Sequence, residues 1–180
     1  METARELLAR GARVDTADND GATPLLIAIS KYGFIGVVQE LLARGAAVDT
    51  ADNSGRTPLF IASWVGHVEV VRELLSRGAA VDSATTRGAS PLLIASEYGH
   101  LEVVRELLAR GAAVDTAMND GLTPLLIASQ NGHLEVAREL LSRGASPGVA
   151  AHNGATALSL ATANGHAAIA QLLLAALAAA

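Results

Sequence analysis

The helical spacing of apolar residues is clearest in the segment 68–75. Val70, Val71, Leu74 and Leu75 fall on one face of a helix, and charged residues occupy the positions between them. A glycine follows within one turn, and glycine is the usual residue at the left-handed end of a helix. The pattern therefore predicts an amphipathic helix that buries this face.

A second short helix is predicted just before that segment. Thr57 suits the N-cap because its hydroxyl can accept an unpaired backbone N–H, and Pro58 suits the first helical position. The apolar run that follows stops near Gly66. Residues 78–88, after the amphipathic helix, are small and turn-forming, which predicts an extended finger with a tight turn. Because helices this short are marginal in water, packing between units is expected to stabilise them.

This two-helix pattern repeats along the chain at a nearly constant period. The phrase Gly-X-Thr/Ser-Pro-Leu begins at Gly21, Gly55, Gly88 and Gly121, and a weaker copy begins at Gly154. The successive spacings are 34, 33, 33 and 33 residues. A fixed period in this range is typical of a solenoid, in which each unit buries its apolar face against its neighbours. Function is then expected at the positions where the copies differ.

Composition narrows the class of protein. Of the 180 residues, 51% are hydrophobic and only 3% are aromatic, which favours short, closely packed helices over a β-sandwich. The net charge is −5 and no Lys/Arg-rich run occurs, so nucleic acid is not an expected partner. The chain has no cysteine, which excludes disulfides and cysteine-based zinc sites.

The sequence also argues against a membrane location. The first six residues do not form a basic stretch followed by an apolar core, so no signal peptide is predicted. The most apolar segment, 172–180, is too short to span a bilayer, which takes about 20 residues. We therefore expect a soluble protein, either cytoplasmic or a recombinant, engineered chain.

The repeated phrases resemble the ankyrin repeat. Thr-Pro-Leu begins the first helix, Gly-His-Leu-Glu-Val-Val begins the second, and Gly-Ala-Ala-Val-Asp leads into the finger. The resemblance implies an all-α solenoid of stacked helix-turn-helix units with protruding, hairpin-like fingers. It divides a single domain, 1–180, into an N-terminal half-unit, four full units and a closing unit. Their bounds are 1–17, then 18–51, 52–84, 85–117 and 118–150, then 151–180.

Three features depart from the usual pattern of that family. The histidine that usually follows Thr-Pro-Leu is replaced in every copy, by Leu26, Phe60, Leu93, Leu126 and Ser159. The first full unit has one extra residue before its glycine, which predicts a bulge or a reshaped turn near Ile29 or Ser30. The closing unit ends in an apolar, Ala-rich tail instead of a polar cap, and self-association is expected there.

Residues that look like catalytic or metal-binding sets are better explained as scaffold. Four histidines occupy one repeat position, so neighbours lie about 8–10 Å apart, too far to share one zinc ion. These are His67, His100, His133 and His166. Four serines at near-equivalent helix positions, Ser30, Ser63, Ser96 and Ser129, are interpreted as small packing residues. The Asp/Asn-rich loops before Gly21 and Gly121 are interpreted as turns rather than calcium sites. No enzyme activity, cofactor or metal is therefore expected.

The charges of the second helices form pairs at i,i+4. Each pair places Glu before Arg, the order that favours a helix by a few tenths of a kcal/mol. The pairs are Glu6–Arg10, Glu40–Arg44, Glu73–Arg77, Glu106–Arg110 and Glu139–Arg143. We interpret them as a solvated helix face.

The irregular positions are concentrated in two parts of the unit. The two slots before the glycine that ends the first helix hold all the Tyr and Trp residues of the chain, and the finger tips also vary. The resemblance implies that these two parts line a concave binding surface. The predicted partner-binding residues are Lys31, Tyr32, Arg56, Trp64, Val65, Arg87, Glu97, Tyr98, Asp120, Leu122 and Gln130. The alternative is that the aromatics fill gaps between units, which is how we interpret Phe34 and Phe60.

We therefore expect a non-catalytic module that binds another protein through this surface, with no nucleic-acid or membrane partner. Two alternatives stay open. The near-identical units also fit a designed or engineered repeat scaffold, including a self-assembling one, that has no natural partner. The chain also fits a fragment of a larger protein, in which the array recruits substrates for an attached domain.

Overall fold

A computed structural model describes residues 13–179, apart from the Tyr32 side chain, and within that range the chain folds into ten α-helices. The first helices of the units are α1 (Pro24–Tyr32), α3 (Pro58–Val65), α5 (Pro91–Glu97), α7 (Pro124–Asn131) and α9 (Ala157–Ala163). The second helices are α2 (Ile35–Ala43), α4 (Val68–Ser76), α6 (Leu101–Ala109), α8 (Leu134–Ser142) and α10 (Ala167–Ala179). First helices stack on first helices and second helices on second helices, so the solenoid has two layers. Of the predicted half-unit, residues 1–12 lie outside the described range.

The first helices begin where the sequence predicts. The Thr57 hydroxyl accepts a hydrogen bond from the N–H of Phe60 at 3.2 Å, and Pro58 is the first residue of α3. Thr23, Ser90 and Thr123 cap α1, α5 and α7 in the same way. The closing unit lacks the proline, and there Thr156 and Ser159 cap α9 reciprocally. A side-chain cap therefore sets the start of every first helix in the described part.

The core lies between the two layers. Leu92, Val103, Val104 and Leu107 are buried completely or almost so, and the equivalent residues of the other units continue the same core. The positions that usually hold histidine in this kind of repeat are buried here, as Leu26, Phe60, Leu93 and Leu126. In this chain, apolar packing at that position replaces a polar interaction.

Hydrogen bonds join each finger to the next one. At the tips, an N–H of one unit donates to a carbonyl of the unit before it, over 3.0–3.1 Å. The pairs are Asn53–Asp20, Thr86–Ser54, Asn119–Arg87 and His152–Asp120. Deeper in the finger, the Asp49 carboxylate accepts from the N–H of Ala80, and Asp82 does the same for Ala113. The fingers are therefore joined by hydrogen bonds into one continuous edge of the solenoid.

The histidines form structural hydrogen bonds between units. The Nε2 atom of His100 lies 3.0 Å from the carbonyl oxygen of Trp64 in the preceding first helix. His133 and His166 approach the carbonyls of Glu97 and Gln130 in the same way, at 2.9 and 3.1 Å. Because a carbonyl can only accept, Nε2 carries the proton in this arrangement. These three hydrogen bonds agree with the interpretation of the histidines as scaffold.

The extra residue of the first full unit lies in the last turn of α1, which is one residue longer than α3. The N–H of Gly33 is shared between the carbonyl of Ala28, five residues back at 3.1 Å, and that of Ile29, four residues back at 3.3 Å, whereas Gly66 donates to Ala62, four residues back. The carbonyls of Ala28 and Ala62 occupy equivalent positions, so the added residue widens the turn before Gly33, and the predicted reshaped turn is confirmed.

Two smaller interpretations are wrong, the first of them because of this insertion. Ile29, not Ser30, takes the buried position held by Ser63 in the next unit, and Ser30 is exposed. The side chain of Phe34 is half-exposed instead of filling a gap between units, whereas Phe60 is buried as expected.

Four of the five Glu–Arg pairs form salt bridges of 2.7–3.2 Å, and the pair Glu6–Arg10 lies outside the described residues. Two further bridges, which the sequence analysis did not predict, cross between units. Arg72 reaches Glu106 at 3.0 Å, and Arg105 reaches Glu139 at 3.2 Å. Each of these glutamates is therefore shared by two arginines. No helix within residues 13–179 is long and apolar enough to cross a membrane.

Candidate functional site

The finger tips and first helices of the central units enclose a recess of about 310 Å³. Phe60 from α3, Ile94 from α5 and Met118 from the following finger supply its apolar part. Arg56, Arg87 and Glu97 supply its charges. The recess thus combines apolar surface with a few charged groups, which is typical of binding sites.

A hydrogen-bonded turn holds Arg56 in place. Its Nε donates to Oδ2 of Asp52 at 2.6 Å, while Oδ1 of Asp52 accepts from the N–H groups of Ser54 and Arg56 at 2.9 Å. Burial raises the pKa of Asp52, but its bonds to Arg56 and Ser54 outweigh this and hold the pKa below its ordinary value. Asp52 therefore stays ionised and fixes the arginine at the rim.

The other two charges of the recess are uncompensated. Within the part of the chain that the structure describes, the side chains of Arg87 and Glu97 form no hydrogen bond or salt bridge. Desolvation raises the pKa of Glu97, because burial disfavours the charged form of a carboxyl group. An unpaired acid and an unpaired base thus line one recess.

Two aromatic side chains lie at the ends of the helices that form the recess. The ring centroids of Trp64 and Tyr98 are 6.2 Å apart with a tilt of 58°, and Tyr98 stacks on the His100 ring at 6.3 Å. The side chains of Trp64 and Tyr98 are nevertheless 36% and 48% exposed. One contact between units and one within a unit therefore hold the two rings in place without burying them.

A second recess of about 220 Å³ lies between the next two finger tips. Asp120 and Leu122 line it from one finger, His152 and Asn153 from the other, and Gln130 from α7. The N–H of Leu122 donates to Oδ1 of Asp120 at 3.1 Å. The recess between finger and first helix therefore recurs, but its side chains change from unit to unit.

Comparison with known protein families agrees with this architecture. Residues 1–85 and 79–151 match the family model described as ankyrin repeats (3 copies). The chain belongs to the ankyrin repeat family. Ankyrin repeats are generally protein–protein interaction modules and are typically non-catalytic. Among curated proteins, none matches this chain.

The predicted site residues occupy three places in the ankyrin array. Arg56, Arg87 and Glu97 meet in the central recess, and Asp120, Leu122 and Gln130 meet in the second recess. The third group lies at the ends of the first helices; of these, Lys31, Val65, Trp64 and Tyr98 are exposed. The side chain of Tyr32 lies outside the described part, so its position in the site stays a prediction.

Sequence reasoning missed several residues of the recesses. Met118 occupies the finger position held by Asp52 and Thr85 in earlier units. Its different side chain at this position could have identified it as a candidate site residue. His152 lies in a finger, whereas the other four histidines follow the glycine that ends a first helix, so the repeat pattern does not group it with them. Phe60 and Ile94 look like core residues in the sequence, and only the stacking of units shows that they also border a recess.

A larger groove lies elsewhere, along the second helices, and encloses about 600 Å³. Arg72, Glu73, Glu106 and Arg110 line it. All four belong to the salt bridges within and between units. Since these charges are already paired, we assign this groove to the scaffold.

Proposed function

We propose that this ankyrin array binds another protein through its concave surface, formed by the finger tips and first helices, and that it catalyses no reaction. The observation that carries this proposal is the central recess. There the unpaired charges of Arg87 and Glu97 lie at the same recess, and the exposed ring of Tyr98 follows Glu97 directly. Exposed Trp, Tyr and Arg side chains held in place by a rigid scaffold are the residue types that dominate binding energies.

The chemistry of the recess also indicates the kind of partner. A basic side chain of the partner would neutralise Glu97, and an acidic one would neutralise Arg87. The acids Asp20 and Asp120 at neighbouring tips add to the preference for a partner with some basic surface, while Lys31 and Arg56 set its orientation. Because hydrogen bonds already tie the fingers together, binding loses little conformational entropy.

The remaining parts of the proposal concern organisation and location. We propose the unit boundaries 18–51, 52–84, 85–117 and 118–150, flanked by a half-unit and a closing unit, since they follow the repeated phrases. A cytoplasmic location is consistent with a chain that has no cysteine for disulfides. The insertion in α1 and the irregular segment 85–87 favour natural or selected variation over a pure consensus scaffold without a partner.

Affinity capture with a matched pair of variants tests the proposal. The intact protein, the variant Tyr32→Ala/Trp64→Ala/Tyr98→Ala and a control are used to capture proteins from a cell lysate. The control is Glu69→Ala/Glu102→Ala/Glu135→Ala, which changes exposed residues of the second helices.

A specific partner is expected with the intact protein and the control, and the aromatic variant is expected to bind it at least about 30-fold more weakly. Equal affinity of the aromatic variant and the control for that partner would refute the proposed surface.

A further inference from the structure

Leu174 on α10 is exposed at a position that is buried or partly buried in each of the four full units. Its equivalents Leu42 and Leu75 are buried, and Leu108 and Leu141 are partly buried and pack against the core. Leu174 itself is 55% exposed. The second helices that carry Leu75, Leu108 and Leu141 each contact a second helix on both sides, whereas α10 packs on α8 and no unit follows it within the described range. Leu174 is thus a residue of the interface between units with no unit stacked on it.

The exposed surface of α10 continues beyond that leucine. The glycine that ends the other second helices is replaced at the equivalent position by Leu177, and α10 runs for 13 residues where α8 has 9. Leu177 is 40% exposed. The residues Ala167, Gln171, Leu174 and Ala178 are all exposed and follow one another at spacings of four, three and four. This is the spacing of the contact seam between two helices packed as a coiled coil.

The pattern of salt bridges ends before this helix. Position 172 is Leu, where Glu106 and Glu139 accept arginines from the preceding unit. Arg138 therefore lacks the bridge to the next unit that Arg105 makes, and pairs with Glu135 in its own helix at 3.5 Å. No residue of α10 is charged, whereas α4, α6 and α8 each carry both signs. A partner that covers α10 must therefore bring no charge to the contact, since a buried charge needs a counter-charge.

We propose that a second copy of this chain packs on the outer face of α10, so that two arrays join end to end as a symmetric dimer. An uncharged helix with an exposed seam of Leu, Ala and Gln is complementary to itself. A two-fold axis also sets the two helix dipoles antiparallel, and alanine allows the helices to approach closely. The neighbouring face of α9 exposes Ser159 and Thr162, so the contact is limited to α10. This contact covers the outer end of the stack of second helices and leaves the recesses free.

Sedimentation equilibrium over a range of concentrations tests the proposal. The expected result is a reversible species of twice the 18.3 kDa of one chain. The variant Leu174→Glu/Leu177→Glu should raise the dissociation constant of the dimer by at least about 100-fold. The control Ala43→Glu/Ala109→Glu adds the same charge at exposed ends of other second helices and should leave the dimer intact.

If the glutamate variant does not fold, disulfide cross-linking of a cysteine variant tests the same dimer. Because the chain has no cysteine of its own, Gln171→Cys, which lies near the middle of the seam where antiparallel copies of α10 meet at the two-fold axis, should form a disulfide-linked dimer when oxidised with diamide, and Ala43→Cys should not. A wild-type chain that stays monomeric at all concentrations would overturn the proposal. So would a dimer that survives both glutamates, or equal cross-linking of the two cysteine variants.

Discussion

At the scale of single residues, Glu97 shows how a binding position differs from a structural one. Its carboxylate is partly buried at the last residue of α5, where the helix dipole also disfavours negative charge, and it has no cationic partner within the described chain. In the second helices, by contrast, Glu106 is shared by two arginines. A group left uncompensated on a rigid surface costs stability, and such a cost is expected where function requires the group.

Replacing Glu97 by Gln, the residue at the equivalent position 130, is therefore expected to stabilise the free protein near neutral pH. The pKa of Glu97 is raised in the folded state, so the folded chain binds this proton more tightly than the unfolded chain, and wild-type stability falls as pH rises through the folded pKa. The gain for Glu97→Gln should be less than about 1 kcal/mol, because the carboxyl is only partly buried.

Urea titrations at neutral pH and in acid, below the ordinary pKa of glutamate, measure this difference. The two proteins should converge in acid, where Glu97 is protonated in both the folded and unfolded states. A variant that is less stable at neutral pH, or a difference that does not change with pH, would show that the carboxylate is compensated after all.

At the scale of the helix and its cap, the glycines that end the first and second helices have different roles. Gly66 and Gly78 both have positive φ angles, 80° and 86°. A Cβ at Gly66 would lie 2.7 Å from the His100 ring of the next unit, whereas a Cβ at Gly78 would meet nothing within 4 Å. Only the glycine that ends the first helix makes room for the histidine that links the units.

Gly66→Ala should therefore destabilise the protein more than Gly78→Ala. Both variants force alanine into the left-handed region, at a cost of about 1 kcal/mol. Gly66→Ala should cost at least about 1 kcal/mol more, because it displaces His100 from the Trp64 carbonyl and from Tyr98. Thermal unfolding of the two variants side by side measures the difference. Equal losses would mean that the histidine moves aside freely.

The starts and ends of the helices can be predicted from the local sequence, whereas most contacts between helices of different units cannot. The Thr57 cap, the Pro58 start and the glycine end all depend on residues within one turn of each other, so the pattern predicts them correctly. The partner of His100 lies 36 residues earlier, and the Arg72–Glu106 bridge spans 34 residues. Such contacts depend on how neighbouring units stack, which no single unit encodes locally. The same reason explains Ser30, whose exposure follows from one inserted residue.

At the scale of the whole molecule, repetition specifies the scaffold and irregularity specifies the surface. Helix stacking, the hydrogen-bonded fingers and the shared glutamates recur in register, so the solenoid could be predicted from the period and its two-helix unit from the repeated phrases. The candidate site could be predicted only in part. Arg56, Arg87 and Glu97 were identified by their disagreement with other copies, but their meeting in one recess with Phe60 and Met118 required the stacked structure.

The central claim, that a partner protein covers the finger tips and first helices, is tested most directly by side-chain oxidation footprinting. Hydroxyl radicals are applied to the array alone and to its complex with the captured partner, and the oxidised residues are located by mass spectrometry. Binding should protect Trp64, Tyr98 and Met118 and leave Val68, Leu101 and Leu134 of the second helices unchanged. Protection of the second-helix residues with no change at Trp64 and Tyr98 would contradict the account.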